Sequence, residues 1–284
     1  MTIKIMTHQR GISLIELLVA LLISSILILG VTQIFIDNKR TEVFQQQQTG
    51  NQESARFSEI ILNEYLGKAG YRRAPDDVLE NAFPFAAASS GCASFTEGSA
   101  ITGMTNKTGL CLRYQPLVSG EPDCTGSATK AFNDTNAFSA PSSTALVVLA
   151  LYYEPGTALD TGFLQCQNIN TAGSSEPIQL VSNVADFRLS FGVGTASVTE
   201  KMLKKSGDRF VTSDSWSSSD GQIRAARYSI LLASRANQRD GESAVLNEWI
   251  ATLSEAQQTA IAARDERRIY QIAGSTQTLR NLMP

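Results

Sequence analysis

The chain has 284 residues, with 24 basic and 27 acidic side chains and a formal net charge of −3. This balance argues against a general nucleic-acid-binding protein, because such proteins present a basic surface. The one histidine is His8, so the chain beyond it lacks the commonest general base and the commonest metal ligand. Motifs of serine hydrolases, phosphate-binding loops and zinc proteases do not occur in the sequence. We therefore predict a protein that is not an enzyme and that uses no metal or cofactor.

An apolar run near the N-terminus predicts a membrane helix. Residues 17–36 carry no formal charge and are mostly Leu, Ile and Val. As a helix they are ~30 Å long, which is the thickness of a bilayer core. Lys4 and Arg10 precede the run and Asp37 is the first charge after it. The positive-inside rule then predicts a single pass with the N-terminus in the cytoplasm.

One carboxylate, Glu16, lies at the front of this run. An acidic side chain at mid-helix in a membrane costs ~2.5–3.5 kcal/mol on insertion scales, so its presence calls for a partner. The alternative is a carboxylate that only reaches out to the membrane interface.

The residues around Glu16 form a recognisable motif. Residues 11–20 read Gly-Ile-Ser-Leu-Ile-Glu-Leu-Leu-Val-Ala, and this segment resembles the class III signal of type IV pilins and of type II secretion pseudopilins. The resemblance implies that residues 1–11 are a leader peptide, that a membrane peptidase cuts between Gly11 and Ile12, and that the same enzyme methylates Ile12. The family usually has phenylalanine at the position of Ile12.

The resemblance also implies a partner for Glu16. Cleavage creates an α-ammonium group at Ile12, and Glu16 of a neighbouring subunit can pair with it once both lie among packed apolar helices. Glu16 then serves subunit recruitment and register in a filament rather than catalysis.

The helical pattern continues beyond the membrane segment. Few helix-breaking residues occur before Gly67 and Gly70, so residues 12–66 predict one helix of ~80 Å. Two sets of apolar residues recur at helical spacing on adjoining faces of this helix: Phe57, Ile61 and Tyr65 form one set, and Leu62, Leu66 and Ala69 form the other. We divide the chain into a leader (1–11), a membrane or filament-core helix (12–36), the second half of the helix (37–70) and a globular α+β head (71–284).

The head begins with an irregular region, residues 71–143, followed by strand patterns. Residues 145–153 alternate apolar residues on both faces and predict a strand that is buried on both sides. Residues 242–264 have helical spacing. The predicted strands lie near residues 109–115, 145–153, 162–167, 178–181, 187–192, 223–233 and 268–279. A long helix followed by antiparallel strands predicts an α+β pilin fold, in which the second half of the helix packs on a sheet.

The four cysteines are Cys92, Cys111, Cys124 and Cys166. All lie in the part of the chain predicted to be exported, where an even count in an oxidising compartment indicates two disulfides. Three pairings are compatible with the sequence alone.

Pieces scattered along the head carry a second resemblance. They are residues 69–72, 184–189 with 191–192, 223–224 leading into 228–232, and 279–281. Their order resembles the PilW family of minor pilins, which is related to the J-type minor pseudopilins of type II secretion. The resemblance of residues 123–126 and 164–166 to a recurrent pair in minor pilins implies the disulfides Cys92–Cys111 and Cys124–Cys166.

Membership of this family would imply a minor pilin in a tip complex that primes pilus assembly. Its partners would be other minor pilins, the major pilin, the prepilin peptidase, the inner-membrane assembly platform and the membrane itself. It would reside in the inner membrane with its head in the periplasm, and then in the pilus tip. The alternatives are a minor pseudopilin of type II secretion and an adhesin or binding module displayed at the tip.

Overall fold

The fold is described from a computed structural model, which covers residues 11, 13–170, 175–194 and 209–283. These residues contain four α-helices and nine β-strands. The first helix, α1, spans Leu14–Lys68 and has 55 residues, so it begins and ends two residues later than predicted. The chain forms two compact units, Met1–Gln46 and Gln47–Pro284. Among its described residues, the first unit contains only the beginning of α1 as regular secondary structure.

In the second unit, one face of α1 is buried in the main core. Ala55, Ser58, Leu62 and Leu66 recur at spacings of three and four and are buried, which is the pattern of a helix with one face on a sheet. Of the two apolar sets recognised in the sequence, Leu62, Leu66 and Ala69 are all buried, whereas Phe57 of the other set is 47% exposed. The spacing of four that links Phe57 to Tyr65 drifts around the helix, since an α-helix has 3.6 residues per turn.

The C-terminal end of α1 is closed by the last residues of the chain. Gly70 adopts a left-handed conformation (φ 74°), and a Cβ atom there would lie 2.5 Å from the side chain of Leu282. Asn281 donates side-chain hydrogen bonds to the carbonyl oxygens of Gly67 (2.9 Å) and Ala69 (3.1 Å). The last carbonyls of a helix have no partner within it, so Asn281 supplies donors that the helix lacks.

The first sheet is antiparallel and has five strands in the order β1-β2-β3-β4-β5. The strands are β1 (Ile101–Gly103), β2 (Gly109–Tyr114), β3 (Val147–Glu154), β4 (Phe163–Asn168) and β5 (Ile178–Val181). In β3, Leu149 and Leu151 belong to the main core, whereas Ala150 and Tyr152 pack in a separate cluster on the opposite face. The prediction of a strand buried on both faces is confirmed.

The second sheet is antiparallel and has four strands in the order β7-β6-β8-β9. The strands are β6 (Val184–Gly194), β7 (Arg209–Thr212), β8 (Gln222–Asn237) and β9 (Arg268–Thr278). The α+β class is confirmed, but the strands form two sheets where the sequence suggested one. The division falls between Val181 and Val184, where Asn183 has a positive φ of 60°. Asparagine tolerates this conformation, which turns the chain sharply.

Three further helices complete the head. The short α2 (Leu79–Ala82) precedes β1, and α3 (Ala244–Ile250) and α4 (Glu255–Ala262) lie between β8 and β9. Residues from α3 and α4, including Leu246, Trp249 and Ile261, pack with Leu231 of β8 in a second core. Residues of β8 on its other face, such as Ile230, belong to the main core. The second sheet is therefore covered on one face by the main core and on the other by α3 and α4.

Candidate assembly helix and its head

Glu16 lies in the first turn of α1, and its carboxylate accepts a hydrogen bond from the N–H of Ser13. The distance from Ser13 N to Glu16 Oε2 is 3.0 Å. The first N–H groups of a helix have no acceptor within it, and a negative charge is favourable at this end of the helix dipole. The side chain is exposed in the single chain, so the carboxylate retains acceptor positions for a group from outside.

The surface that follows Glu16 is apolar and exposed. Between Leu14 and Ile36, the large hydrophobic side chains are 45–78% exposed. By length and composition, α1 is the described helix that could cross a membrane, and no part of its most apolar window is buried within the chain. Residues 37–42 are all polar or charged, for example Lys39, whose Nζ lies 2.7 Å from Glu42 Oε2. The hydrophobic segment thus ends sharply at Asp37.

The structure describes one of the two residues at the expected cleavage site. Gly11 is exposed, and a Cβ atom added to it would meet no atom within 4 Å. Ile12, the predicted methylation site, lies outside the described residues. Cleavage and methylation at this position stay predictions.

The second half of α1 is hydrogen-bonded to the head at several points along its length. Gln47 Oε1 accepts from the backbone N–H of Arg235 at 3.0 Å. The hydroxyl of Tyr228 donates to Asn63 Oδ1 at 3.0 Å. Burial, followed by the charge of Glu59, raises the pKa of Tyr228 to about 12. The hydroxyl therefore stays protonated and continues to donate at physiological pH.

Near its end, α1 is joined to the irregular region through Lys68. The ammonium group of Lys68 lies 3.1 Å from Glu64 Oε1 and 3.2 Å from Glu121 Oε1. It also lies within 6 Å of the ring centroids of Tyr65 and Tyr114, at 5.5 and 5.8 Å, a range in which a cation is attracted to a ring. Burial, with the charge of Glu64 next, raises the pKa of Tyr65 to about 12. This cluster fixes the loop around Glu121 to the helix.

Two disulfides hold the irregular region to the first sheet. They join Cys92 to Cys111 and Cys124 to Cys166, the pairs implied by the resemblance to minor pilins. Cys111 lies on β2 and Cys166 on β4, and both are fully buried. Each bond therefore attaches a segment without regular structure to a strand of the core.

The two tryptophans pack within the head. Trp249 is 4% exposed, and its Nε1 donates to Asp186 Oδ2 at 2.7 Å. Trp216 packs edge-on against Phe191, with ring centroids 5.9 Å apart. These contacts show packing roles and offer little aromatic surface for a partner subunit.

Two buried arginines that hold the irregular region in place were not predicted from the sequence. Arg73 and Arg113 are 5% and 2% exposed and bind several backbone carbonyls each. The sequence signal was present in part, because Arg113 interrupts an otherwise apolar strand pattern at residues 110–114. Its acceptors are backbone oxygens, which leave no trace in residue types. Among the described residues there is no group of three or more His, Cys, Asp or Glu side chains suited to a metal ion.

Comparisons with known proteins bear on both ends of the chain. Residues 6–32 match the family model of the prokaryotic N-terminal methylation motif. Residues 153–281 match the family model of type IV pilus-assembly protein W, or PilW. The resemblance to the PilW family is confirmed. The PilW match runs from the end of β3 to Asn281, so it contains the whole second sheet and the residue that closes α1.

A solved structure, the type IV-like pilin TTHA1219 from Thermus thermophilus, is also similar to this chain. The similarity covers 82% of this chain and 96% of that one, with 9% sequence identity and a TM-score of 0.41. No curated protein matches the chain. PilW proteins are structural pilus components rather than a known enzyme family, and the methylation motif with its apolar helix is consistent with membrane anchoring and incorporation into a pilus.

Proposed function

We propose that this chain is a minor pilin, which joins other minor pilins in a complex at the pilus tip and primes the assembly of a type IV pilus. The observation that carries the proposal is the contrast within α1. Its first part, from Leu14 to Ile36, is apolar and exposed, whereas its last part is buried in the head. A surface of this kind requires an apolar environment from outside the chain.

Two environments fit that surface in succession. Before assembly, the bilayer covers an apolar helix of this length. In a filament, the corresponding helices of other subunits take the place of the lipid. The head, residues 71–284, is then periplasmic at first and later displayed at the pilus tip.

Glu16 supplies the register between subunits. Its carboxylate lies at the N-terminal end of α1, where it accepts a hydrogen bond from the N–H of Ser13. Cleavage after Gly11 would place the α-ammonium of Ile12 near the same end of the helix in a neighbouring subunit. Because an unpaired charge is costly among apolar helices, only the staggered arrangement that pairs the two charges would be stable.

The implied partners follow from this sequence of events. The prepilin peptidase would remove residues 1–11 and methylate Ile12. The inner-membrane assembly platform would extract the subunit from the bilayer. Other minor pilins and the major pilin would contact residues 12–36 in the filament core.

The proposal is tested by replacing Glu16 in cells that assemble pili. We expect Glu16→Ala to reduce the number of surface pili by about tenfold or more, because a buried ammonium group is left without its partner. Glu16→Asp keeps the charge and should retain part of the assembly. Surface pili are counted by electron microscopy and by immunoblotting of sheared filaments.

The matched control is Glu42→Ala, an exposed acidic residue on the same helix that pairs with Lys39 of its own chain. This variant should assemble normally. Mass spectrometry of each membrane-inserted variant should show an N-terminus at Ile12 with one added methyl group. Normal pilus numbers in Glu16→Ala would contradict the role of Glu16, and a loss of type II secretion without loss of pili would favour the pseudopilin alternative.

A further inference from the structure

A cavity of about 430 Å³ lies on the face of the first sheet that points away from α1. Its wall is mostly apolar and includes Phe85, Phe95, Leu146, Val148 and Ile169. Small-molecule sites have volumes of about 300–1,000 Å³ and combine apolar walls with a few polar groups. The size and lining of this cavity are therefore those of a site for a small organic molecule.

One charged side chain, Arg113 of β2, also lines the cavity. It is 2% exposed, and its guanidinium lies over the rings of Phe83 and Phe95, 5.5 and 4.6 Å from their centroids. Among the described residues, no carboxylate forms an ion pair with it. Buried charges in proteins are ordinarily paired, so Arg113 departs from that rule at the wall of a cavity.

The hydrogen bonds of Arg113 leave one N–H group of its guanidinium unused. Nε donates to Ser99 O at 2.7 Å, and Nη2 donates to the carbonyl oxygens of Phe83 (3.0 Å) and Thr96 (3.3 Å). Nη1 donates to Pro84 O at 2.7 Å. A guanidinium has five N–H groups, and these four bonds leave one on Nη1. Pro84, whose carbonyl oxygen accepts from Nη1, lines the cavity together with Arg113.

Burial also acts on the ionisation of this group. Desolvation lowers the pKa of Arg113 to about 10. Arg113 is therefore still cationic at neutral pH, and a bound anion would relieve the cost of its burial. A carboxylate accepts a strong, charge-assisted hydrogen bond from a single guanidinium N–H.

We propose that this cavity binds a small organic acid with an apolar body, its carboxylate on Arg113 Nη1 and its body against Phe85, Leu146 and Ile169. The head would then carry a ligand-binding function that is separate from the assembly role of α1. The cavity and α1 lie on opposite faces of the first sheet.

The test uses the full-length chain in lipid nanodiscs and the probe 3-(4-fluorophenyl)propanoate, followed by ¹⁹F NMR line broadening. The neutral amide of the same acid serves as the matched ligand, which removes the charge without altering Arg113. We expect the acid to bind about tenfold more tightly than the amide, the difference expected for a charge-assisted hydrogen bond. Equal affinities, or no binding of the acid, would overturn the proposal.

Two variants locate the binding. Ala87 is exposed at the cavity wall, so Ala87→Trp should fill the cavity without disturbing the core and should abolish binding of the acid. Ala137→Trp, at an exposed alanine outside the cavity lining, should bind the acid as the unmodified chain does. Binding that persists in Ala87→Trp would show adsorption elsewhere and contradict the proposal.

Tighter binding of the peptide Ala-Ala-Phe than of the probe would assign the cavity to a peptide terminus and overturn the small-molecule assignment.

Discussion

The side chain of Asn51 donates a hydrogen bond to the backbone carbonyl oxygen of Ile269, at 2.9 Å and across 218 residues of sequence. Asn51 lies on α1 and is 4% exposed, and Ile269 lies on β9, an edge strand of the second sheet. An edge strand presents backbone groups without partners. Asn51 therefore satisfies one of these groups and fixes the height of α1 along the sheet.

We predict that Asn51→Ala lowers the free energy of unfolding by about 1–3 kcal/mol. The reason is that the partly buried carbonyl of Ile269 loses its donor and keeps a share of its desolvation cost. The measurement is urea unfolding of the full-length chain in detergent micelles. Gln48→Ala, at an exposed position on the same helix, should change stability by less than about 0.5 kcal/mol, and an equal loss in both variants would contradict the assigned contact.

Arg73 holds part of the irregular region together through hydrogen bonds to backbone carbonyls. Its Nε donates to Ser139 O at 3.1 Å, its Nη2 to Asn136 O at 3.0 Å, and its Nη1 to Leu117 O. Nη2 also donates to Asp134 O at 3.5 Å, so four carbonyls share one guanidinium, which holds the two ends of the 117–139 loop together. The guanidinium also stacks over Phe132, 4.9 Å from the ring centroid.

We predict that Arg73→Lys accelerates proteolysis within residues 117–139. A lysine keeps the charge but lacks the planar fork that reaches several carbonyls at once. Chymotrypsin should cut at the exposed Phe138, while the strands of the core stay protected. The neighbouring Arg72, whose Nη1 donates to Asp77 O, provides the control Arg72→Lys, which should leave cleavage at Phe138 unchanged.

The parts of the fold that are local in sequence could be predicted. The long helix, the strands near residues 178–181 and 223–233, and the double burial of β3 all follow from residue periodicity, because each element shows its own pattern. The edge strand β7 was missed, since its four residues are mostly exposed and an exposed edge carries little apolar alternation. The split into two sheets falls at Asn183, whose left-handed conformation is one that the sequence permits but does not dictate.

The residues of the candidate site also differ in how well the sequence predicts their roles. Glu16 could be found from the sequence because a lone charge in an apolar run is conspicuous by itself. Arg113 and Arg73 could not be assigned roles, because their partners are backbone carbonyls brought from 14 to 66 residues away. Such contacts depend on the tertiary structure and have no signature in residue types.

The disulfides differ in the loops that they close. Cys124 and Cys166 are 42 residues apart, and Cys92 and Cys111 are 19 apart. We predict that replacing either pair with alanine lowers the free energy of unfolding by about 2–5 kcal/mol. Replacing Cys124 and Cys166, which close the longer loop, should cost about 0.7 kcal/mol more, because loop-closure entropy grows with the logarithm of loop length. Denaturant unfolding of the two double variants measures the difference. Each pair includes one fully buried sulfur, so the packing loss is similar in both, and a larger cost for Cys92–Cys111 would contradict the entropic account.

Tyr228 gives the head a defined sensitivity to alkaline pH. Burial raises its pKa in the folded protein to about 12, whereas a tyrosine in an unfolded chain titrates near 10. Between these values the folded state binds more protons than the unfolded state, so stability falls as pH rises. The stabilisation is fully present below about pH 10 and is lost progressively as pH rises through about 12. We predict that Tyr228→Phe unfolds with a shallower dependence on pH across this interval.

The control for Tyr228 separates ionisation from hydrogen bonding. Asn63→Ala removes the nearer of the two acceptors of the Tyr228 hydroxyl, the other being Glu59 O at 3.4 Å, but keeps the ionisable group in its buried position. It should lower stability at neutral pH by about 1 kcal/mol and retain the steep loss between about pH 10 and 12. The measurement is urea unfolding at a series of pH values, with unfolding free energy plotted against pH. If Tyr228→Phe kept the slope of the unmodified chain, the alkaline loss would belong to other buried tyrosines, such as Tyr65, whose pKa is also raised to about 12 by burial.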